Sequence, residues 1–295
     1  MSREPIAFIG AGMVGTAMAF LLNQHGHPIT GVYSRNRESS EKMCNFLGTG
    51  KIYENPGDAA RTADIVFLTV PDDSISQVCN EIVANEGFLQ AAVVLHCSGA
   101  LPSSSLESAK EAKAHIGSMH PLQSFASLTE AVENLKKVTW AIEGDKRALD
   151  VMQRLVELLN GQCEILSVEH KVLYHVGAVM ASNYLVTLKD MAEQLLKKSG
   201  LSEEMAQMGL QSLIQGTLNN LKQLPSSNAL TGPIARRDAN TIRNHLLALE
   251  SHAPDLLDIY KKMGQHTVAL TLRDNDNDND NDEATRQLIQ LFSDQ

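Results

Sequence analysis

The chain has 295 residues and little cysteine, none of it in pairs. Cys44, Cys79, Cys97 and Cys163 are scattered without a C-x-x-C spacing. That argues against a disulfide framework or a cysteine zinc site; no metal site is expected, and the thiols fit a reducing cytoplasm. Positive charge is also short: 25 Lys and Arg stand against 35 Asp and Glu, a formal net charge of −10. A nucleic-acid binder needs a basic face, so no nucleic-acid partner is expected. Long uninterrupted apolar runs are missing too. Residues 172–188, VLYHVGAVMASNYLVTL, are broken by His175, Ser182 and Asn183. Polar groups at that depth make a membrane span unfavourable. No apolar leader precedes the first strand, so no secretion signal is expected.

What is present reads as alternating strands and helices. Apolar segments at 5–10, 29–35, 63–71, 91–100, 113–121, 138–144 and 163–168 read as strands, with a short one near Lys51–Tyr53. Helical periodicity lies at 11–25, 37–47, 57–62 and 145–160. This alternation predicts a doubly wound, largely parallel α/β sheet. After residue 168 the pattern is helical only, at 169–199, 202–223, 238–250 and 254–272. The expected organisation is a dinucleotide-binding domain over 1–168, a helical substrate and dimerisation domain over 169–272, and a tail over 273–295. The alternation of Asp and Asn across 274–282 reads as a hydrated, disordered spacer. It has acids at the first, third and fifth positions of a calcium loop. It lacks the loop's glycine, and Thr285 stands where the bidentate Glu belongs.

Gly10, Gly12 and Gly15 form G-x-G-x-x-G between an apolar strand and a helix, the context of a dinucleotide site. Gly10 suits the tight turn, Gly12 close approach of backbone to a pyrophosphate, and Gly15 close helix packing. Met13 and Val14 complete the loop, and the free N–H groups of the helix attract phosphate. The second strand ends VYSRNR, with no acid at its tip for a ribose 2′-hydroxyl. Ser34, Arg35 and Arg37 suit a 2′-phosphate, which predicts NADP(H). Val70 and Pro71 end one strand and are expected to line the cofactor. Ser98 and Gly99 end the next and are expected near the nicotinamide ribose or the substrate. His96 reads as a satisfied strand histidine, and Cys97 has no neighbouring base to make it a nucleophile.

On the substrate side, GSMHPLQSF offers His120 and Gln123. ALTGPIARRD offers Thr231, Gly232 and Arg236 to grip a carboxylate, or an ordinary interhelical turn capped by Asp238. Together GAGMVGTA, VYSR, LTVPDDSI, LHCSGAL, GSMHPLQSF, LYHVGAVMASNYLVTL and LTGPIARRD resemble the Rossmann-like oxidoreductases that carry an all-helical C-terminal domain of unknown function. The resemblance spans residues 5–272. That family is similar to ketopantoate reductases, 6-phosphogluconate-type hydroxyacid dehydrogenases and pyrroline-carboxylate reductases. The resemblance implies a helical C-terminal domain, often a homodimer, and reduction of a small oxo acid or imine. Ketopantoate reductases and hydroxyacid dehydrogenases place a lysine and an asparagine close together on one helix. Here Lys171 is present, His175 takes the asparagine's place, and Asn183 comes much later.

At about 100° per residue, Lys171, His175, Val179 and Ser182 share one helical stripe, with Asn183 further round. Carbonyl reduction needs a proton and help for developing negative charge. The stripe therefore offers His175 as proton donor, Ser182 or Asn183 as hydrogen-bond donors and Lys171 as charge. The competing reading is a core histidine satisfied by Asn183 or backbone. The leading functional expectation is NADPH-dependent reduction of a small 2-oxo acid, 2-dehydropantoate first. The alternatives are an imine reductase, a non-catalytic NADP-binding sensor that docks a partner, and use of a deazaflavin in place of NADPH.

Overall fold

The protein is described here from a computed structural model covering residues 3–273 and 283–293. The Asp/Asn tract expected to be a disordered spacer lies outside the described residues. The chain divides into two compact units, Met1–Ser182 and Asn183–Gln295.

The first unit is built on seven strands, β1 (Ile6–Ile9), β2 (Ile29–Tyr33), β3 (Ile65–Leu68), β4 (Val93–His96), β5 (His115–Pro121), β6 (Thr139–Gly144) and β7 (Gln162–Ile165). They pair in the order β2-β1-β3-β4-β5-β6-β7. Alternation along β1 serves both faces of the sheet. Ile6 and Phe8 enter one core, where Phe8 stacks on Phe67 and α1 (Met13–Gln24) adds Met18 and Leu22. Ala7 and Ile9 enter the other. Between these strands run α2 (Arg37–Leu47), α3 (Pro56–Ala60), α4 (Asp72–Ala84), α5 (Glu107–Glu111), α6 (Leu128–Asn134) and α7 (Lys146–Leu158), and α8 (Lys171–Ala181) ends the unit. The sequence reading leaves α4, α5 and α6 unassigned.

The sheet is parallel up to β5, then reverses: β6 pairs antiparallel with β5, and β7 runs parallel to β6. The chain turns back beside β5 through a connection that carries the seven-residue α6, instead of crossing the sheet to begin a parallel strand. The short strand expected near Lys51–Tyr53 is reduced to one bridge, Val32 to Ile52.

The sequence reading puts the domain junction near 168 and one helix over 169–199. The first unit instead runs on to Ser182, because α8 is anchored to the sheet by Lys171. The helix itself breaks at Ser182, the C-cap of α8, with φ −112° and ψ −68°. Ser and Asn compete for backbone hydrogen bonds, so a Ser-Asn pair is a weak point in a helix.

The second unit is helical: α9 (Asn183–Lys198), α10 (Glu203–Gln223), α11 (Ser226–Ala229), α12 (Ala239–His252), α13 (Leu257–Leu272) and α14 (Glu283–Ser293). One of its cores joins Ile242, Val268, Leu288 and Phe292. That core recruits α14, which lies in the segment expected to be a tail. Among the described residues no helix is long and apolar enough to cross a membrane, and the four cysteines are unpaired.

Phe292 is buried in this core. Phe292→Ala is expected to cost about 3 kcal/mol or more of the second unit's stability, read as an earlier thermal unfolding transition.

Candidate functional site

The glycine loop between β1 and α1 opens onto a cavity of about 580 Å³ in the first unit. Gly10 takes φ +111°, and a Cβ there would collide with the Thr69 carbonyl, so only glycine closes this turn. A Cβ on Gly15 would strike the Thr69 side chain, whose hydroxyl donates to the Gly10 carbonyl at 2.7 Å. Gly12 caps α1 without a side-chain hydrogen bond. The N–H groups of the first helical turn are thus left for an anion. Gly10, Gly12, Met13, Val14, Gly15, Ser34, Arg35, Val70, Pro71 and Ser98 all line this one cavity. Gly99 lies just beyond its wall.

At the end of β2, Arg35 makes no salt bridge among the described residues, with Ser34 and Ser39 beside it on the cavity wall. Arg37 is different: it is held by Glu41 at 3.0 Å and by Glu54. Of the two arginines offered by the sequence, Arg35 is the one left for a phosphate.

Ser98 is more committed than the sequence reading expects. Its hydroxyl donates to Asp72 at 2.7 Å and accepts from the N–H groups of Ala100 and Leu101. One donor and two lone pairs are then used up. The cavity receives the Asp72 carboxylate at the start of α4, a residue the sequence reading missed. A strand-end acid on a helix N-terminus was its available signal. His96 is satisfied, accepting from Ser98 N–H at 3.1 Å and reaching the Pro102 carbonyl at 3.2 Å. Burial pushes it down to about 4. Burial pushes the Cys97 thiol up to about 12, which keeps it protonated and unreactive.

Lys171 is 2% exposed. Its ammonium donates to the Ser118 hydroxyl and to Glu143 at 3.0 Å. Glu143, equally buried, also accepts from the Ser103 N–H at 2.7 Å and hydroxyl at 2.6 Å. The charge expected to act on a carbonyl is therefore spent in joining α8 to β5, β6 and the segment after β4. Burial lowers the lysine's pKa, and the Glu143 carboxylate opposes that shift.

One turn further along α8, Tyr174 and His175 meet His120 from β5. The Tyr174 hydroxyl lies 2.8 Å from His120 Nδ1. The two imidazoles stand edge to face with centroids 6.1 Å apart. A Cβ on Gly99 would come within 2.7 Å of His175 Nδ1 and 2.9 Å of His120 Nε2. Both nitrogens thus converge on Gly99, packed where a Cβ would otherwise sit. His175 Nδ1 is buried without a hydrogen-bond partner. The histidine is not satisfied by Asn183 or backbone through that nitrogen, as the core reading requires.

Gln123 is exposed and accepts from the neighbouring Ser124 N–H. Ser182 ends the first unit and Asn183 opens the second, so the expected stripe is interrupted there. Thr231, Gly232 and Arg236 lie in a turn of the second unit, with Gly232 at φ +97° and Arg236 N–H bonded to its carbonyl at 3.2 Å. Asp238 caps α12 by accepting from Thr241 N–H at 3.0 Å.

Residues 1–121 match the family model of a Rossmann-like domain, and residues 138–267 match that of a domain of unknown function, DUF2520. The chain joins a Rossmann-like domain to a DUF2520 domain. The DUF2520 match begins where β6 reverses the sheet. The Rossmann-like segment supplies the cavity, Gly99 and His120, and the DUF2520 segment supplies Glu143, Lys171, Tyr174 and His175. Among solved structures, protein TM1727 of Thermotoga maritima is 26% identical, with a TM-score of 0.74 over 90% of this chain and 98% of its own. A candidate NADP oxidoreductase of Bacteroides fragilis is 25% identical, with a TM-score of 0.71 over 92% and 99%. A pyrroline-5-carboxylate reductase of Coxiella burnetii shares the fold at 17% identity, with a TM-score of 0.58 over 98% of each chain. An uncharacterized oxidoreductase of Shewanella frigidimarina is 42% identical over 74 residues, 25% of each protein. The chain spans about a quarter of the length of the curated relatives it matches.

Breaking the Lys171–Glu143 pair from one side leaves a buried charge uncompensated. Lys171→Met is expected to cost about 3 kcal/mol or more. Lys171→Met combined with Glu143→Gln should recover most of that loss, because the amide can still serve Ser103. Chemical denaturation of the three proteins checks both outcomes.

Proposed function

We propose that the protein is an NADPH-dependent reductase of a small carbonyl compound, with 2-oxo acids as the substrate class. The observation that carries this reading is the unpartnered, buried Nδ1 of His175 beside His120, packed on Gly99, one residue beyond the wall of the cavity at the glycine turn. An unsatisfied buried polar atom costs about 1–3 kcal/mol, and a polar substrate group over Gly99 would relieve it. The cavity fits NADP(H): the glycine turn and the α1 N-terminus would hold the pyrophosphate, and Ser34 and Arg35 the 2′-phosphate. The cofactor, when bound, supplies the hydride. His175 gives a proton to the oxygen that becomes the hydroxyl. Lys171 keeps α8, and so His175, at the sheet.

The resemblance to ketopantoate reductases makes 2-dehydropantoate the first substrate to test. The shared fold with a pyrroline-5-carboxylate reductase supports a second reading, reduction of a cyclic imine by the same donors. NADPH oxidation with oxo acids and with imines in parallel separates the two. Tight NADPH binding without turnover of either would favour a sensor.

We also propose a homodimer. Val172, Leu173, Val176 and Met180 on α8 are 47–69% exposed, although this is among the most apolar segments of the sequence. Met205, Met208 and Leu213 on α10 are exposed in the second unit. Exposed apolar faces of this kind mark interfaces. A dimer mass by sedimentation, lost in Leu173→Asp, is the expected result.

Arg35→Ala is expected to weaken NADPH far more than NADH, and less so at high salt. Equal weakening of both would make Arg35 structural. His175→Asn is expected to keep NADPH affinity and folding while turnover falls about 10²-fold or more. Unchanged turnover with lowered thermal stability would return His175 to the core.

A further inference from the structure

We propose that Tyr174 and His120 form a donor dyad, in which the phenol holds the imidazole as its Nε2–H tautomer and that N–H donates to the substrate atom receiving the proton. This rests on the reductase reading and divides labour between the two histidines: His175 supplies the proton, and His120 supplies a fixed hydrogen bond.

The tautomer follows from hydrogen-bond accounting. A phenol has one proton to give, and the Tyr174 hydroxyl has no partner other than His120 Nδ1 among the described residues. If Nδ1 carried the ring proton, the phenol's proton would have no protein acceptor among the described residues, whereas an unprotonated Nδ1 offers it one. Tyr174 therefore donates, Nδ1 accepts, and the ring proton lies on Nε2. Nε2 is the nitrogen that reaches over Gly99 opposite His175 Nδ1. Any side chain on Gly99 would collide with both rings, so glycine there lets the two nitrogens pack close to the backbone and to each other.

The surroundings keep this imidazole a donor and not an acid. Burial, then His175, then the Lys171 ammonium push His120 down to about 4, and only Asp72 opposes them. Burial pushes the Tyr174 phenol up to about 12, so it stays protonated and keeps donating. A neutral N–H aimed at a developing oxyanion stabilises charge without surrendering its proton. Tyr174 is a positioning residue in this scheme. His120 is catalytic, because its Nε2–H touches the reacting group.

Three measurements test the dyad. Nitrogen-15 NMR of the imidazoles in the unliganded protein should find His120 as the Nε2–H tautomer, and Tyr174→Phe should convert it to a mixture. His120→Gln places an amide N–H near the Nε2 position and is expected to stay within about tenfold of wild-type kcat. His120→Asn, whose amide falls short, is expected to lose about 10²-fold, the usual cost of an oxyanion donor. Tyr174→Phe should lower kcat in the wild type with the NADPH KM unchanged, yet cause no further loss in His120→Gln, where no imidazole remains to orient. A His120 found as Nδ1–H, or equal losses from Tyr174→Phe in both backgrounds, would overturn the dyad. An Nε2–H imidazole in a protein that reduces neither oxo acids nor imines would instead overturn the reductase reading, and with it the substrate's place in this proposal.

Discussion

The first unit depends on a buried ion pair, Lys171 with Glu143. Both side chains are withdrawn from water, and such a pair is tolerable only when every remaining donor and acceptor is satisfied. Ser118 takes a second hydrogen of the ammonium, and Ser103 gives its N–H and hydroxyl to the carboxylate. The pair thereby fixes β5, β6, the segment after β4 and the start of α8 in one arrangement. Tyr174 and His175 come one turn later on that helix, so their meeting with His120 and Gly99 follows from where the lysine is held.

The same constraint turns α8 inside out. A soluble helix normally buries its apolar residues and exposes its lysine. Here the lysine is inside, and Val172, Leu173, Val176 and Met180 face outward. The polar side is used by the site, which leaves the apolar side for another surface. One helix would thus serve both the proposed chemistry and the proposed association, and the opposition between its two faces accounts for an imidazole in an apolar segment.

The cavity and the histidine cluster show two kinds of construction. The glycine turn, the open N-terminus of α1 and the end of β2 form the cavity through backbone geometry and small side chains. The cluster is built from side chains of β5 and α8 closing over Gly99. Asp72 and Ser98 lie where the two meet: Ser98 is locked to Asp72 and to the turn that follows it, which holds Gly99 in place.

The amino-acid sequence by itself determined the features that arise within short stretches. The strand-glycine-helix unit, the missing acid after β2, the alternation of strands and helices, and the helical second half were all legible. Each is a property of neighbouring residues and backbone propensity. His96 was read correctly as satisfied. Only the tertiary structure decided which arginine is left over, because Glu54 lies far from Arg37 in the chain. It also decided that β6 reverses, that the long helix breaks at Ser182, and that Lys171 pairs with Glu143. The contact of Tyr174 with His120 was illegible for the same reason. Its partner is 54 residues away, and nothing local distinguishes a tyrosine facing solvent from one that orients an imidazole. Helical periodicity could put Lys171 and His175 on one face, but it could not say which face turns inward. That depended on a carboxylate on β6, brought to the helix only when the sheet closes.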